Sequence, residues 1–439
     1  MRKASRTLLA GVVGLMLLTV ARAAPDAAPA QEPANAWSEL REKTFNVVWE
    51  TVNESYYDPQ FGGVDWPAIR EKYRARLPQA ADKGALNGLL MGMLGELRRT
   101  HFSILPRGMA VFTPEERGRN GTSLVDVIYT EGGVVVSTVR PEVTAAVRPG
   151  DLVRAIDQVE LESLEKQLHA ANVTDERCGL YLTQLVKSRL RGAVGTKVRL
   201  RLQGLDGKDR ETELTIVPQE GEWSEPMGDF PSFPVETVAE ANAEDRLVYL
   251  RFNVFARQAM KEIRTALNAV PPDGGLVIDL RGNPGGITLM AAGISGWLSD
   301  RTFLLATMHM RQGHIGFTVS PQPRAFLGPV AILIDSDSVS TSEIMAAGLQ
   351  EAGRARIFGE PSPGAALPSV FKALPTGDLF QYAIADLQTP RGILIEGHGV
   401  IPDQIVARTR TDLAAGRDPV LSAARRWLEA QRHNPEPRP

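Results

Sequence analysis

The chain has 439 residues, 43% hydrophobic and 23% charged, too long for one compact core and too apolar for a disordered polymer, so two or three folded units are expected. Lys and Arg number 49 against 52 Asp and Glu, and a formal charge of −3 leaves no basic excess to neutralise phosphates; nucleic acid is not an expected partner. The single cysteine, Cys178, excludes an intramolecular disulfide framework and a multi-cysteine zinc site. The histidines form neither an HExxH nor a His-x-His cluster, so no metal and no cofactor are expected.

Residues 1–23 read as a cleavable export signal. Arg2, Lys3 and Arg6 precede an apolar run from Leu8 to Val20, and Ala21-Arg22-Ala23 offers small residues at the −3 and −1 positions. The apolar run is short for a membrane span, so no stable membrane anchor is expected after cleavage, and the expected location is periplasmic or secreted. Loss of Arg2, Lys3, Arg6 and Arg22 takes the formal charge from −3 to −7. The Ala- and Pro-rich residues 24–36 read as a flexible leader.

Residues 37–107 carry a helical pattern. Phe45, Val48, Trp49 and Val52 recur at three- and four-residue spacing, and Pro59 ends that helix. A second helix is expected from Trp66-Pro67 and a third from Lys83 to Arg98. Residues 108–220 change character, with strands expected at Leu124–Ile128, Val134–Val139, Leu152–Ile156 and Val198–Leu202. Between them, Val147-Arg148-Pro149-Gly150-Asp151-Leu152-Val153-Arg154-Ala155-Ile156-Asp157 resembles the central stretch of PDZ domains, with Gln158 where Gly is commoner. That resemblance implies capture of an extended peptide on a sheet edge. The place of the carboxylate-binding loop falls on Gly121, Thr122, Ser123 and Leu124, without a Gly-Leu-Gly-Phe-type sequence.

Residues 221–410 alternate strands and helices. Leu247–Phe252, Gly275–Leu280 and Val330–Ile334 read as strands, and Ala256–Asn268, Ile287–Leu298 and Ser342–Ala352 as helices. Residues 411–439 carry an amphipathic helix through Leu421, Ala424, Trp427 and Leu428, suited to packing on the core or to self-association; the pattern assigns no oligomeric state.

In such a sheet, chemistry sits in loops at the carboxyl ends of strands. The first loop is Asp279-Leu280-Arg281-Gly282-Asn283-Pro284-Gly285-Gly286, whose glycines fit either a phosphate cradle or an oxyanion hole, although neither GxxxxGK[ST] nor GxGxxG is present. The second is Asp335-Ser336-Asp337-Ser338-Val339-Ser340-Thr341-Ser342-Glu343-Ile344, whose hydroxyls fit helix capping, exposure of a nucleophile at a strand–turn–helix corner, or both.

Together, "LVIDLRGNPGG" at 276–286, "SVSTSEIMAAGLQEAGRARIFGE" at 338–360 and "IEGHGVIPD" at 395–403 resemble the C-terminal processing peptidases, or tail-specific proteases. "YYDPQFGGVDW", ending at Trp66, is similar to their amino-terminal unit, and the PDZ-like insert stands where that family places it. The resemblance implies an α/β fold in a mixed α+β arrangement: an amino-terminal helical unit, a PDZ-like β domain, and an α/β peptidase core whose mixed sheet is covered by helices. It implies a serine peptidase acting on polypeptides, with Ser340 as nucleophile and oxyanion donors at Gly285 or Gly286 and at Thr341.

One departure stands out. The lysine of the family's Ser–Lys dyad lies 25 residues after the nucleophile, where this chain has Ala365, and the glutamine four residues later is Ser369. Only Lys372 remains after Lys261. A serine hydroxyl still needs a base. The tricorn-type branch uses Ser, His and Glu, and its pattern falls on His101, after Thr100, as general base and on Glu396 as orienter. His398, His309, His314 and Lys372 are the other candidate bases. The alternative to a peptidase is a catalytically inactive binding or carrier protein of the same fold; a hydrolase of non-peptide esters or amides is a third reading.

Overall fold

The computed structural model describes residues 34–171 and 173–433. The expected signal, residues 1–23, and residues 24–33 of the expected leader lie outside the described residues. Helix α1 (Ala34–Ser55) begins within the stretch expected as leader, and it buries the predicted stripe of Phe45, Val48, Trp49 and Val52. Helix α2 (Trp66–Arg74) starts where Asp65 accepts the Ala68 N–H at 3.0 Å, with Pro67 in its first turn. Helix α3 (Lys83–Gly95) is capped in the same way by Asp82, and it stops short of the predicted Arg98.

The helical unit is not free-standing. Its core includes Leu374, Phe380 and Ala383 from the hairpin Ser369–Ala373/Leu379–Ala383, with Leu367 just before it. Strand Ser103–Leu105 pairs antiparallel with that hairpin, Ser103 opposite Gln381 and Leu105 opposite Leu379. This ladder anchors the segment immediately after Thr100 and His101.

The PDZ-like domain is a six-stranded sheet whose main path runs β1 (Val125–Thr130), β2 (Gly133–Val139), β3 (Leu152–Ile156), β4 (Lys197–Gln203), β5 (Asp209–Thr215), with the short strand Val159–Glu160 paired to β3 off that path. Gly150, at φ 89°, makes the expected Pro-Gly turn into β3. Two helices absent from the sequence-based prediction cover the sheet: α4 (Leu161–Ala170) and α5 (Asp175–Arg189). The segment expected to bind a peptide carboxylate has its backbone engaged elsewhere. Asn120–Thr122 is paired on both edges, Ser123 N–H donates to Leu190 O at 2.9 Å, and Leu124 N–H donates to Thr122 Oγ1 at 3.3 Å. The Ser123 and Leu124 N–H groups are thus both engaged within the domain.

The core sheet runs β6 (Thr237–Asn242), β7 (Leu247–Phe252), β8 (Gly275–Asp279), β9 (Val330–Ile334), β10 (Arg356–Gly359), β11 (Gln404–Ile405). Only the β6–β7 pair is antiparallel. Every residue of β8 and β9 is buried, which accounts for their unbroken apolar sequences. Leu276 and Ile278 face helices α6 (Met260–Ala269), α7 (Thr288–Ser295) and α8 (Thr341–Glu351), whereas Val277, Ala331 and Leu333 face α9 (Pro419–His433). Helix α9 packs on the core through Val420, Ala423, Ala424 and Leu428, with Leu421 and Trp427 at the rim. Leu428 is fully buried, so Leu428→Ala is expected to destabilise the fold by about 2–5 kcal/mol, read from the midpoint of urea unfolding.

Candidate active site

The loops that follow β8 and β9 leave adjacent parallel strands and are stitched together. Val339 N–H donates to Asn283 O at 3.0 Å, Ser342 Oγ to the same carbonyl at 2.9 Å, and Ser338 Oγ to Leu280 O at 2.9 Å. Thr341 Oγ1 donates to Gly286 O at 2.9 Å. Ser338, Thr341 and Ser342 are buried structural hydroxyls, while Ser340 alone among them keeps partial exposure. The three buried hydroxyls thus tie the two loops together rather than cap α8, whose N-cap position is Ser340.

Ser340 stands at the start of α8 with φ 58° and ψ −116°, a backbone region costly for a side-chain-bearing residue. Its N–H is held by Ala365 O and by Glu343 Oε2, both at 3.0 Å. The Glu343 carboxylate also accepts Ser362 Oγ at 2.7 Å, Gly364 N–H at 2.8 Å and Ala365 N–H at 3.0 Å. Burial pushes this carboxyl up to about 7 against the opposing pull of those hydrogen bonds. Sequence reasoning missed Glu343; the signal was a capping box, Glu three residues after an N-cap serine.

Gly285 lies against the Ser340 loop. A Cβ on it would come within 2.8 Å of Ser340 Cβ and 2.9 Å of Thr341 N, and its φ of 99° already excludes ordinary side chains. Its N–H is taken by Asn283 Oδ1 at 2.9 Å. The N–H groups of Gly286 and Thr341 have no hydrogen-bond acceptor among the described residues, and the Thr341 Oγ1 bond to Gly286 O keeps the two residues together.

His101 takes φ 60° just before the anchored Ser103–Leu105 strand. Its Nδ1 lies 2.8 Å from Thr100 Oγ1. That hydroxyl is 2.8 Å from Glu396 Oε2, and Thr100 N–H donates to Glu396 Oε1 at 3.1 Å. A threonine hydroxyl has one proton, and an ionised carboxylate can only accept. Thr100 therefore donates to Glu396 and accepts from His101 Nδ1–H, leaving Nε2 with its lone pair. Burial is the largest influence on the imidazole and lowers its pKa; nearby Glu396 acts in the opposite direction and Arg177 in the same one.

Glu396 is itself buried and receives Arg177 Nη2 at 2.9 Å and Ala366 N–H at 3.2 Å. The Ala365–Ala366 peptide thus accepts Ser340 N–H on its oxygen and donates to Glu396 from its nitrogen. Through this one peptide group the structure connects Ser340 with the Glu396–Thr100–His101 cluster. Arg177 comes from α5 of the PDZ-like domain and also donates to Pro363 O and Gly364 O. Further along that helix, Leu180 packs on Val339 and Ala365, and Lys187 Nζ lies 2.9 Å from Asp337 Oδ2.

The other candidate bases stand elsewhere. Lys372 Nζ donates to Thr51 Oγ1 of α1 at 3.0 Å, the His398 side chain is exposed, and His309 Nδ1 pairs with Asp386 Oδ1 at 3.0 Å on a separate sheet with His314. Ala365, at the family's lysine position, is buried against Leu180 and Val339.

Residues 246–406 match the model of peptidase family S41, and residues 38–95 match that of the tricorn protease C1 domain. The carboxyl-terminal-processing protease of Synechocystis sp. is 28% identical over 370 residues, spanning 82% of this chain and 79% of that protein. Tricorn protease homolog 1 of Streptomyces coelicolor is 26% identical over 412 residues, spanning 90% of this chain and 35% of that protein. The photosystem II D1 C-terminal processing protease superposes with a TM-score of 0.58 at 21% identity, over 91% of this chain and 99% of the other. Mature CPAF superposes with a TM-score of 0.64 at 14% identity, over 90% and 98%. Residues 246–406 therefore match peptidase family S41, in a chain that is similar over most of its length to carboxyl-terminal-processing and tricorn-type proteases.

Proposed function

We propose that the protein is an exported serine endopeptidase, acting in the periplasm or outside the cell, in which Ser340 is the nucleophile, His101 the general base and Glu396 its orienter. The observation that carries this reading is the Thr100 hydroxyl between His101 Nδ1 and the Glu396 carboxylate. It selects the tautomer in which Nε2 is free to accept a proton. Ser340 Oγ attacks the scissile carbonyl as its proton passes to Nε2. The oxyanion of the tetrahedral intermediate takes the unoccupied N–H groups of Gly286 and Thr341. His101 then returns the proton to the leaving amine, and water cleaves the acyl-enzyme by the reverse use of the same groups. Glu396 stabilises the transient imidazolium through Thr100. Among the described residues no helix is long and apolar enough to cross a membrane.

The replacement of the family's lysine by Ala365 is the one feature that favours an inactive carrier, and a fluorophosphonate probe separates the readings. The chain without residues 1–23 is expected to take one label, mapped by peptide mass to Ser340, and Ser340→Ala none. Persistent labelling of Ser340→Ala would reassign the nucleophile. Absence of labelling in the folded wild-type chain would overturn the peptidase reading in favour of the carrier.

A further inference from the structure

We propose that Glu165, His169 and Cys178, with Asp175 at the rim, form a site for a zinc-type divalent cation in the PDZ-like domain, separate from the Ser340 loop. Glu165 and His169 are four residues apart on α4 and so share one helix face. Cys178 faces them from α5. One carboxylate oxygen, one imidazole nitrogen and the thiol sulfur all lie within 4.8 Å of one another. Asp175, three residues before Cys178 on the same helix, places Oδ1 at 3.6 Å from His169 Nδ1. Helix α4 thus contributes two of the three clustered donors and α5 the third, with Asp175 beside His169.

Two further features separate this cluster from a chance meeting of polar side chains. Cys178 is free and fully buried in the core of the PDZ-like domain, without a hydrogen-bond partner among the described residues, and its sulfur lies within 4.8 Å of the two other ligand atoms. Glu165 is oriented from behind, because Tyr129 Oη donates to Glu165 Oε1 at 2.6 Å and leaves Oε2 for a ligand. A mixed nitrogen, oxygen and sulfur set suits zinc and its borderline neighbours rather than calcium or magnesium, which take oxygen ligands. Bond lengths of about 2.3 Å to sulfur and about 2.0 Å to nitrogen put ligand atoms roughly 3.5 Å apart in a tetrahedral site. The His169 side chain is 40% exposed and can close the remaining gap by rotation. On binding, the Cys178 thiol becomes a thiolate and its proton goes to solvent.

The site is coupled to the rest of the molecule by sequence adjacency. Arg177, next to Cys178, is the residue that α5 sends to Glu396, Pro363 and Gly364. A cation held between α4 and α5 would fix the first turn of α5, the turn that carries this contact.

Titration of the metal-free chain with Co²⁺, followed by absorbance, tests the site directly. One equivalent is expected to bind, with a thiolate-to-cobalt charge-transfer band in the near ultraviolet and release of about one proton per ion. Zn²⁺ should displace the cobalt and raise Tm by several degrees, reversed by chelator. Cys178→Ser should lose the band, and His169→Ala, a surface change that spares the fold, should weaken binding at least about tenfold. Absence of stoichiometric binding to the wild-type chain, or a band that survives in Cys178→Ser, would overturn the proposal. None of these readouts depends on peptidase activity, so the two proposals fail independently.

Discussion

His101→Ala is expected to lower kcat/KM on a polypeptide substrate by roughly 10²–10⁴-fold, the usual loss when a general base is removed. The protein packed around the imidazole disfavours its charged form, so the neutral base persists to lower pH than in an ordinary histidine. The acid limb of the wild-type kcat/KM profile is accordingly expected below the usual value of about 6.5. Thr100 tests the same arrangement from one atom further out. Thr100→Val keeps the shape but removes the only acceptor for His101 Nδ1–H; it should lower kcat with little change in KM and displace the acid limb, and Thr100→Ser should restore both. A His101→Ala variant with full activity would remove the base, and an unchanged pH profile in Thr100→Val would remove the hydroxyl bridge.

Gly285→Ala is expected to reduce kcat by about 10²–10³-fold, comparable with removing one oxyanion donor, without unfolding the chain. The added methyl meets Ser340 Cβ at 2.8 Å and Thr341 N at 2.9 Å, atoms fixed by strands β8 and β9. Relief requires moving the serine, the Thr341 donor or the Gly285–Gly286 backbone, and each displacement spoils the alignment of nucleophile with oxyanion donors. The rate of fluorophosphonate labelling should fall in parallel with kcat, while the near-ultraviolet circular dichroism should keep its folded signature and the unfolding midpoint should drop by the strain at this positive-φ site. Undiminished labelling in Gly285→Ala would show that these donors are not used.

The parts of the fold that were legible in the sequence are those whose burial is local and periodic. Strands β8 and β9 are covered on both faces and read as unbroken apolar runs. The stripe of α1 and the buried face of α9 appear at helical spacing. Helices α4 and α5 carry a comparable signal in Leu161, Leu164 and Leu168 and in Cys178, Leu182, Leu185 and Val186, between the strands assigned at Leu152–Ile156 and Val198–Leu202. The Gly121–Leu124 segment resembled a loop because its glycine and hydroxyl residues favour turns, whereas its partners, Arg191–Ala193 and Val217–Pro218, are remote in sequence.

By itself the sequence determined the order of the units, the two loops that end on glycines and serines, and the absence of a lysine at position 365. These are properties of neighbouring residues, and side-chain periodicity and turn chemistry encode them directly. Only the tertiary structure decided which hydroxyls are structural, which N–H groups stay open, and that Thr100 stands between His101 and a carboxylate 296 residues away. It also decided that α5 brings Arg177 to Glu396 and Cys178 to α4. The reason is physical: a buried carboxylate must find donors wherever packing supplies them, and packing joins three units whose contacts leave no periodic trace along the chain.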